Sequence, residues 1–260
     1  MQTIRTPINM VRHLPLLLCG LLGACAVPID RSGNTPDTIA KTPVEVSAPD
    51  PATIPEGSRA FARNAVRSFI EVIETVEPVA EAECRARAPQ ANCDFRIVVD
   101  DRPNLPPNAY QTLDDSGRPI VAFTIPLIVE VRNRDEMAFI LAHEAAHHIE
   151  GHLMRQRQNA TVGAAVFGQV AGLIGGANPD AVLAAQEFGA ALGARTYSKD
   201  FELEADALGT IITAKAGYNP LRGADFFFRI PDPGNSFLGT HPANADRVAI
   251  VQRTAARFGF

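Results

Sequence analysis

The chain has 260 residues, of which 46% are hydrophobic, and a formal charge of −5. That length suits one medium domain with accessory segments. No basic patch stands out, which excludes nucleic acid as an expected partner, and the lack of Trp with only three Tyr disfavours an aromatic cage for sugars or cations.

In chain order, Arg5, Arg12 and His13 precede a short apolar run from Leu14 to Leu22, interrupted by Pro15, Cys19 and Gly20. The run is shorter than the roughly 20 apolar residues that a spanning helix needs. It ends in Leu22-Gly23-Ala24-Cys25. The whole reads as an export signal. Its last four residues resemble the lipobox of bacterial lipoproteins, where the chain is cut before a cysteine that is then lipidated. Residues 1–24 are therefore expected to be a lipoprotein signal peptide and Cys25 the lipidation site; the alternative is a plain signal with an incidental cysteine. Ala26, standing where an Asp would favour inner-membrane retention, implies outer-membrane sorting. Loss of residues 1–24 removes two Arg and no acid, taking the charge from −5 to −7.

Residues 25–57 are rich in Pro (Pro28, Pro36, Pro43, Pro49, Pro51, Pro55) with no apolar period, the composition of a tether. The folded part is expected over 58–260. Apolar residues at helical spacing from Phe61 to Val76 predict a first helix ending at Pro78, and Val79 to Ala86 a second. Phe95–Val99 and Ile120–Ile125 read as strands, with a turn at Asp114-Asp115-Ser116-Gly117. Cys84 and Cys93 lie nine positions apart, with no metal-knuckle spacing, so a disulfide is expected after export, against two free buried thiols.

Asn133 with Glu136 fits a capping box at the start of a mostly apolar helix through Ile149, closed by Gly151. Residues 160–177 are uncharged and rich in Ala and Gly, with Gly168, Gly172 and Gly176 at four-residue spacing. That is a membrane-helix packing pattern, but strongly apolar residues are few, and a helix packed in the fold or covering a groove is the preferred reading. Helices are expected over 180–194, 198–216, 221–228 and 243–258.

Inside the apolar helix stands His143-Glu144-Ala145-Ala146-His147. Residues i and i+4 share a helix face, so both imidazoles can reach one metal ion. Zinc accepts imidazole nitrogen and carboxylate oxygen and keeps one position for water in catalytic sites. Glu144 stands beside that water and can take its proton and return it to a leaving amine. A chance match would leave polar groups in an apolar helix at a cost, which a metal explains. No His lies near the third-ligand distance, so a distant carboxylate is required. Glu202 and Asp206, at i and i+4 some 55 residues on, are the candidates. Glu202 would bind the metal, and Asp206 would accept the second ring N–H of a ligand His.

Together, Asn108-Ala109, His143-Glu144-x-x-His147, Ser198-Lys199-x-x-Glu202-x-x-Ala205-Asp206, Thr240-His241-Pro242 and Arg247 resemble the HtpX and CAAX-prenyl-protease type of zinc metallopeptidase, most of all its soluble periplasmic BepA-like branch. The resemblance implies an α+β, mainly helical, zincin-like metallopeptidase domain with a small β-sheet edge, and one Zn2+ per chain. It implies that Glu202, not Glu204, is the ligand, and that His241 and Arg247 face the site as catalytic residues. Lys199 departs from the Arg usual there, and residues 114–126 replace the Gly-rich strand along which a peptide would add. His148 and His152 stand next to the two ligands and either could support one from behind; surface or capping roles are the preferred expectation, since His148 points about 100° from His147 on a helix.

These readings converge on an endopeptidase for misfolded or unassembled envelope proteins, held in the periplasm by a lipid anchor at the outer membrane and meeting outer-membrane proteins as partners. A latent, chaperone-like quality-control protein on the same fold is the second reading, and a membrane-embedded protease using 160–177 the third.

Overall fold

The computed structural model describes residues 56–174, 178–196, 198–231 and 242–260. The expected signal peptide, Cys25, nearly all of the tether and His241 lie outside the described residues. The described chain is mainly helical with one small sheet. It runs α1 (Glu56–Arg87), β1 (Arg96–Asp100), β2 (Ala109–Leu113), β3 (Pro119–Thr124), α2 (Ile125–Glu130), α3 (Arg134–Ile149), α4 (His152–Leu173), α5 (Pro179–Thr196), α6 (Ser198–Lys215), α7 (Pro220–Gly223), a 3-10 turn (Ala224–Phe228) and α8 (Asn244–Phe258).

Helix α3 is the centre. Met137, Ala138, Phe139, Leu141, Ala142, Ala145 and Ala146 are all buried, so nearly every side of it is covered. Helices α1, α6 and α7 and strand β2 pack around it. Each large apolar side chain sealed here contributes about 1.5–3 kcal/mol. The Asn133 side chain caps the helix by accepting from the Glu136 N–H at 3.0 Å. The reciprocal half of the expected capping box differs: the Glu136 carboxylate accepts instead from the Arg132 N–H at 2.9 Å and pairs with Arg229. A buried carboxylate gains more from a guanidinium than from the neutral amide of its own cap.

Pro78 does not divide two helices; α1 runs through it unbroken. Proline removes one helical hydrogen bond, and the buried stripe Val72, Val76 and Ala80, which spans the proline, holds the helix together. The sheet order is β1-β3-β2, with β3 parallel to β1 and antiparallel to β2. Edge strand β2 was not expected from sequence. All five of its residues are half-buried, so it carries no in-out alternation to read. The turn at Asp114 is present, with Gly117 at φ +80° donating its N–H to the Asp114 carbonyl at 2.9 Å.

Helices α4 and α5 pair as an antiparallel hairpin, and among the described residues their main packing to other elements is α4 against α3 and α5 against α6. Of the four-residue glycine spacing, Gly176 lies outside the described residues, and the backbone contacts of α4 with α5 are made by other glycines. A Cβ on Gly163 would stand 2.0 Å from the Gly189 carbonyl oxygen, and one on Gly193 2.1 Å from that of Asn159, whereas Gly172 faces open space. The small residues thus let two neighbouring helices of one chain meet backbone to backbone. Among the described residues no helix is long and apolar enough to cross a membrane.

Cys84, at the end of α1, is bonded to Cys93, just before β1, with a Cα–Cα distance of 5.6 Å. Closing so short a loop is worth about 2–3 kcal/mol on the chain-entropy account. A Cys84→Ala/Cys93→Ala double variant is expected to lose that much in urea unfolding; an unchanged midpoint would show the bond to be structurally idle.

Candidate metal centre

His143 and His147 project from one face of α3 into a cleft of about 660 Å3 that Glu144 and Glu202 also line. Their Nε2 atoms are 3.0 Å apart. From α6, Glu202 places Oε2 3.5 Å from His143 Nε2 and Oε1 3.4 Å from His147 Nε2. Zinc–ligand bonds of about 2.0–2.1 Å in a tetrahedron put ligand atoms about 3.3 Å from one another. The three observed separations are edges of that size. His143, His147 and Glu202 are the group of donors among the described residues that could hold a metal ion.

The helices reach this geometry by close approach. A Cβ on Gly209 would stand 3.1 Å from the His143 amide nitrogen and 3.2 Å from its Cα, so α6 lies nearly backbone-to-backbone against α3 at His143 itself, about two turns along α6 from Glu202. Glu202 and Asp206, on one face of α6, are thereby held opposite the two imidazoles.

Asp206 has no exposed side-chain surface and accepts from His143 Nδ1 at 2.9 Å. It also accepts from Arg247 Nε and Nη2, both at 2.7 Å. Arg247, from α8, is buried with its guanidinium 4.0 Å above the Phe227 ring and 3.5 Å from Glu202. Burial by itself would lower the His143 pKa, but Asp206 and Glu202 outweigh it and raise it to about 10. The surroundings of His143 therefore favour positive charge at that ring. Glu144, Glu202 and Asp206 against Arg247 sum to two negative charges, which a divalent cation neutralises.

His152 is not in the surface or capping role preferred from sequence but in the alternative one, behind a ligand. It is 4% exposed, with Nδ1 2.8 Å from His147 Nδ1 and Nε2 3.0 Å from Glu204 Oε2. Burial lowers its pKa to about 4. On an unbroken helix i and i+5 diverge, but Gly151, at φ +67°, ends α3 and turns α4 back toward it. The glycine was the available signal. His148 instead meets the Asn92 carbonyl at 2.7 Å and the Phe95 ring edge.

One side of the cleft is lined by Asn108 and by Ala109, Tyr110 and Gln111 of β2, the other by Phe226, Phe227 and Ile230. The β2 rim is fixed from behind: Thr124 Oγ1 accepts from the Asn108 N–H at 2.9 Å, and Tyr110 Oη donates to Asp100 at 2.8 Å.

Two imidazoles from one helix and a carboxylate from another, at the side of an open cleft, make the donor set of a hydrolytic metal centre. A model of peptidase family M48 matches residues 67–255, and the chain belongs to that family, a family of metallopeptidases. The chain is 31% identical over 153 residues to a Vibrio cholerae protein described as "Putative beta-barrel assembly-enhancing protease". That match covers 53% of this chain and 31% of the relative, so the chain spans about a third of that protein's length.

Widening the α3–α6 contact should separate the donors. Gly209→Val is expected to weaken zinc binding at least about tenfold, the lower end of what misplaced supporting groups cost, in a chelator-competition titration; wild-type affinity would show that the close approach does not set the site.

Proposed function

We propose that the chain is a zinc-dependent endopeptidase acting on extended stretches of unfolded or unassembled envelope proteins. The observation that carries this reading is the convergence of His143, His147 and Glu202 beside the edge strand β2. His143 Nε2, His147 Nε2 and a Glu202 oxygen would hold the ion. Bound zinc supplies a Lewis acid that activates water and polarises a carbonyl. Glu144 takes the water proton and delivers it to the departing amine. Asp206, locked by Arg247, keeps the His143 ring oriented, so Arg247 serves by positioning. A substrate strand adds along β2, whose backbone edge supplies sequence-tolerant hydrogen bonds, while the apolar wall of Phe226, Phe227 and Ile230 receives side chains. His241, next to Pro242, is proposed to face the same site.

The disulfide supports an oxidising compartment, and the signal features at 1–24 with Cys25 support a lipid-anchored periplasmic location at the outer membrane. The relative's description, which speaks of β-barrel assembly, supports outer-membrane proteins as partners. A cover formed by 160–194 would have favoured the latent reading. Among the described residues of α4 and α5, however, His152, Leu153 and Gln156 are the ones that line the cleft.

Wild-type protein and Glu144→Gln are each expected to carry about one zinc per chain, while the variant cleaves casein about 10²–10⁴-fold more slowly. Glu202→Ala is expected to lose the zinc. Equal cleavage by Glu144→Gln, or full zinc in Glu202→Ala, would overturn the assignment. Separately, Cys25→Ser is expected to shift the protein from the membrane fraction to the soluble periplasmic fraction, and membrane retention of that variant would refute the anchor.

A further inference from the structure

Resting on the metal-site reading above, we infer that His152 is a positioning residue that fixes His147 in the tautomer able to bind metal, with Glu204 and Arg155 setting the direction of the hydrogen bonds. The two ligand imidazoles are supported differently. His143 has the carboxylate of Asp206 behind it, an acceptor that admits only one polarity. His147 has another imidazole behind it, and an imidazole pair can run either way.

Two ring nitrogens 2.8 Å apart need one hydrogen between them. If His147 supplies it from Nδ1, its Nε2 carries a lone pair facing His143 and Glu202. His152 Nδ1 then accepts, and the His152 proton sits on Nε2, aimed at Glu204 Oε2 3.0 Å away. If His152 supplies it instead, its bare Nε2 lone pair faces that carboxylate, and His147 is left with its proton on Nε2, where the metal must bind. Glu204 accepts and cannot donate when ionised. Arg155 donates to both of its oxygens, through Nη1 at 2.5 Å and Nη2 at 3.3 Å, which commits the carboxylate to the acceptor role. With a cation between His147 Nε2, His143 Nε2 and Glu202, every polar atom of the chain Arg155–Glu204–His152–His147 meets a complementary partner only in the metal-competent direction.

The same groups are fixed in space from α6. His152 stacks on Phe201 with ring centroids 4.6 Å apart and planes 11° from parallel. The Arg155 guanidinium lies 4.3 Å from the same ring centroid. Phe201 immediately precedes Glu202, so the element that supplies the third donor also seats the relay behind the second.

The test uses full-length protein stripped of metal and compares wild type with His152→Phe, His152→Asn and Glu204→Ala. Zinc affinity is read by competition with a chromophoric chelator, ligand geometry by the visible absorption of the Co2+ form, and folding by thermal unfolding in chelator. Phe keeps the stack and fills the space but offers His147 no acceptor; Asn restores an acceptor near the position of the lost Nδ1. His152→Phe is expected to bind zinc about 10–100-fold more weakly, with an altered Co2+ spectrum and metal-free unfolding no lower than wild type. His152→Asn is expected to recover most of that loss, and Glu204→Ala to weaken binding in the same direction. Zinc binding by His152→Phe within twofold of wild type, with an unchanged Co2+ spectrum, would overturn the inference. Should that variant fail to fold, unchanged affinity in Glu204→Ala would overturn it. Wild type binding no zinc would instead sink the metal-site reading itself.

Discussion

The structure depends on one costly burial: the Asp206 carboxylate, wholly out of water at the junction of α3, α6 and α8. An isolated carboxylate there would be untenable. It is tolerated because a two-pronged guanidinium from α8 and an imidazole N–H from α3 occupy its lone pairs. Such a cluster adds little net stability compared with an apolar replacement. What it secures is direction: three helices can be assembled in one way only if each brings its own charge to the centre. The metal site is the outer layer of that cluster, since His143 presents Nε2 to the cleft because Nδ1 is committed behind.

A second buried pair repeats the device at the other end of α3. Glu136, 1% exposed, takes both prongs of Arg229, which follows the 3-10 turn. Phe226 and Phe227 lie on that turn, and Phe227 packs edge-on against Phe139 of α3 at 5.6 Å. One ion pair therefore seats the apolar wall of the cleft on the helix that carries the imidazoles. The wall and the metal donors share a single reference frame, which a cleft needs if a bound peptide is to present its carbonyl to the same place each time.

What sequence disclosed and what it withheld divide along local periodicity. The i, i+4 pairs His143/His147 and Glu202/Asp206 were legible because helical spacing alone puts each pair on one face. That the two pairs meet across about 55 residues followed from the missing third His, which requires a distant carboxylate, and the resemblance then selected Glu202 over Glu204. His152 was hidden by a helix break at Gly151 that makes an i+5 neighbour adjacent. Strand β2 was hidden because it is half-buried on both faces. The continuity of α1 through Pro78 was hidden because tertiary packing outweighed the loss of one hydrogen bond. The role of Gly209 had no signature at all: a glycine inside a helix reads as a weakness until its neighbour's backbone is seen.

The α4–α5 hairpin shows how the ambiguous Ala/Gly run and the site belong together. Its glycines bring α4 and α5 into backbone contact, so the pair behaves as one stiff unit and not as two separate helices. Its first turn carries His152 and Arg155, and its last residues lead into the turn of α6 that carries Phe201 and Glu202. Both feet of the unit thus stand on the metal site, one behind His147 and the other at the third donor. Among the described residues the far half leaves Val166, Leu173, Ile174 and Leu183 exposed, and the main packing to other elements is α4 against α3 and α5 against α6. A stiff arm anchored this way cannot tilt without moving both feet. The glycines that bring the two helices together are Gly163, Gly189 and Gly193, and not the Gly168–Gly172 spacing that resembled a membrane-packing motif.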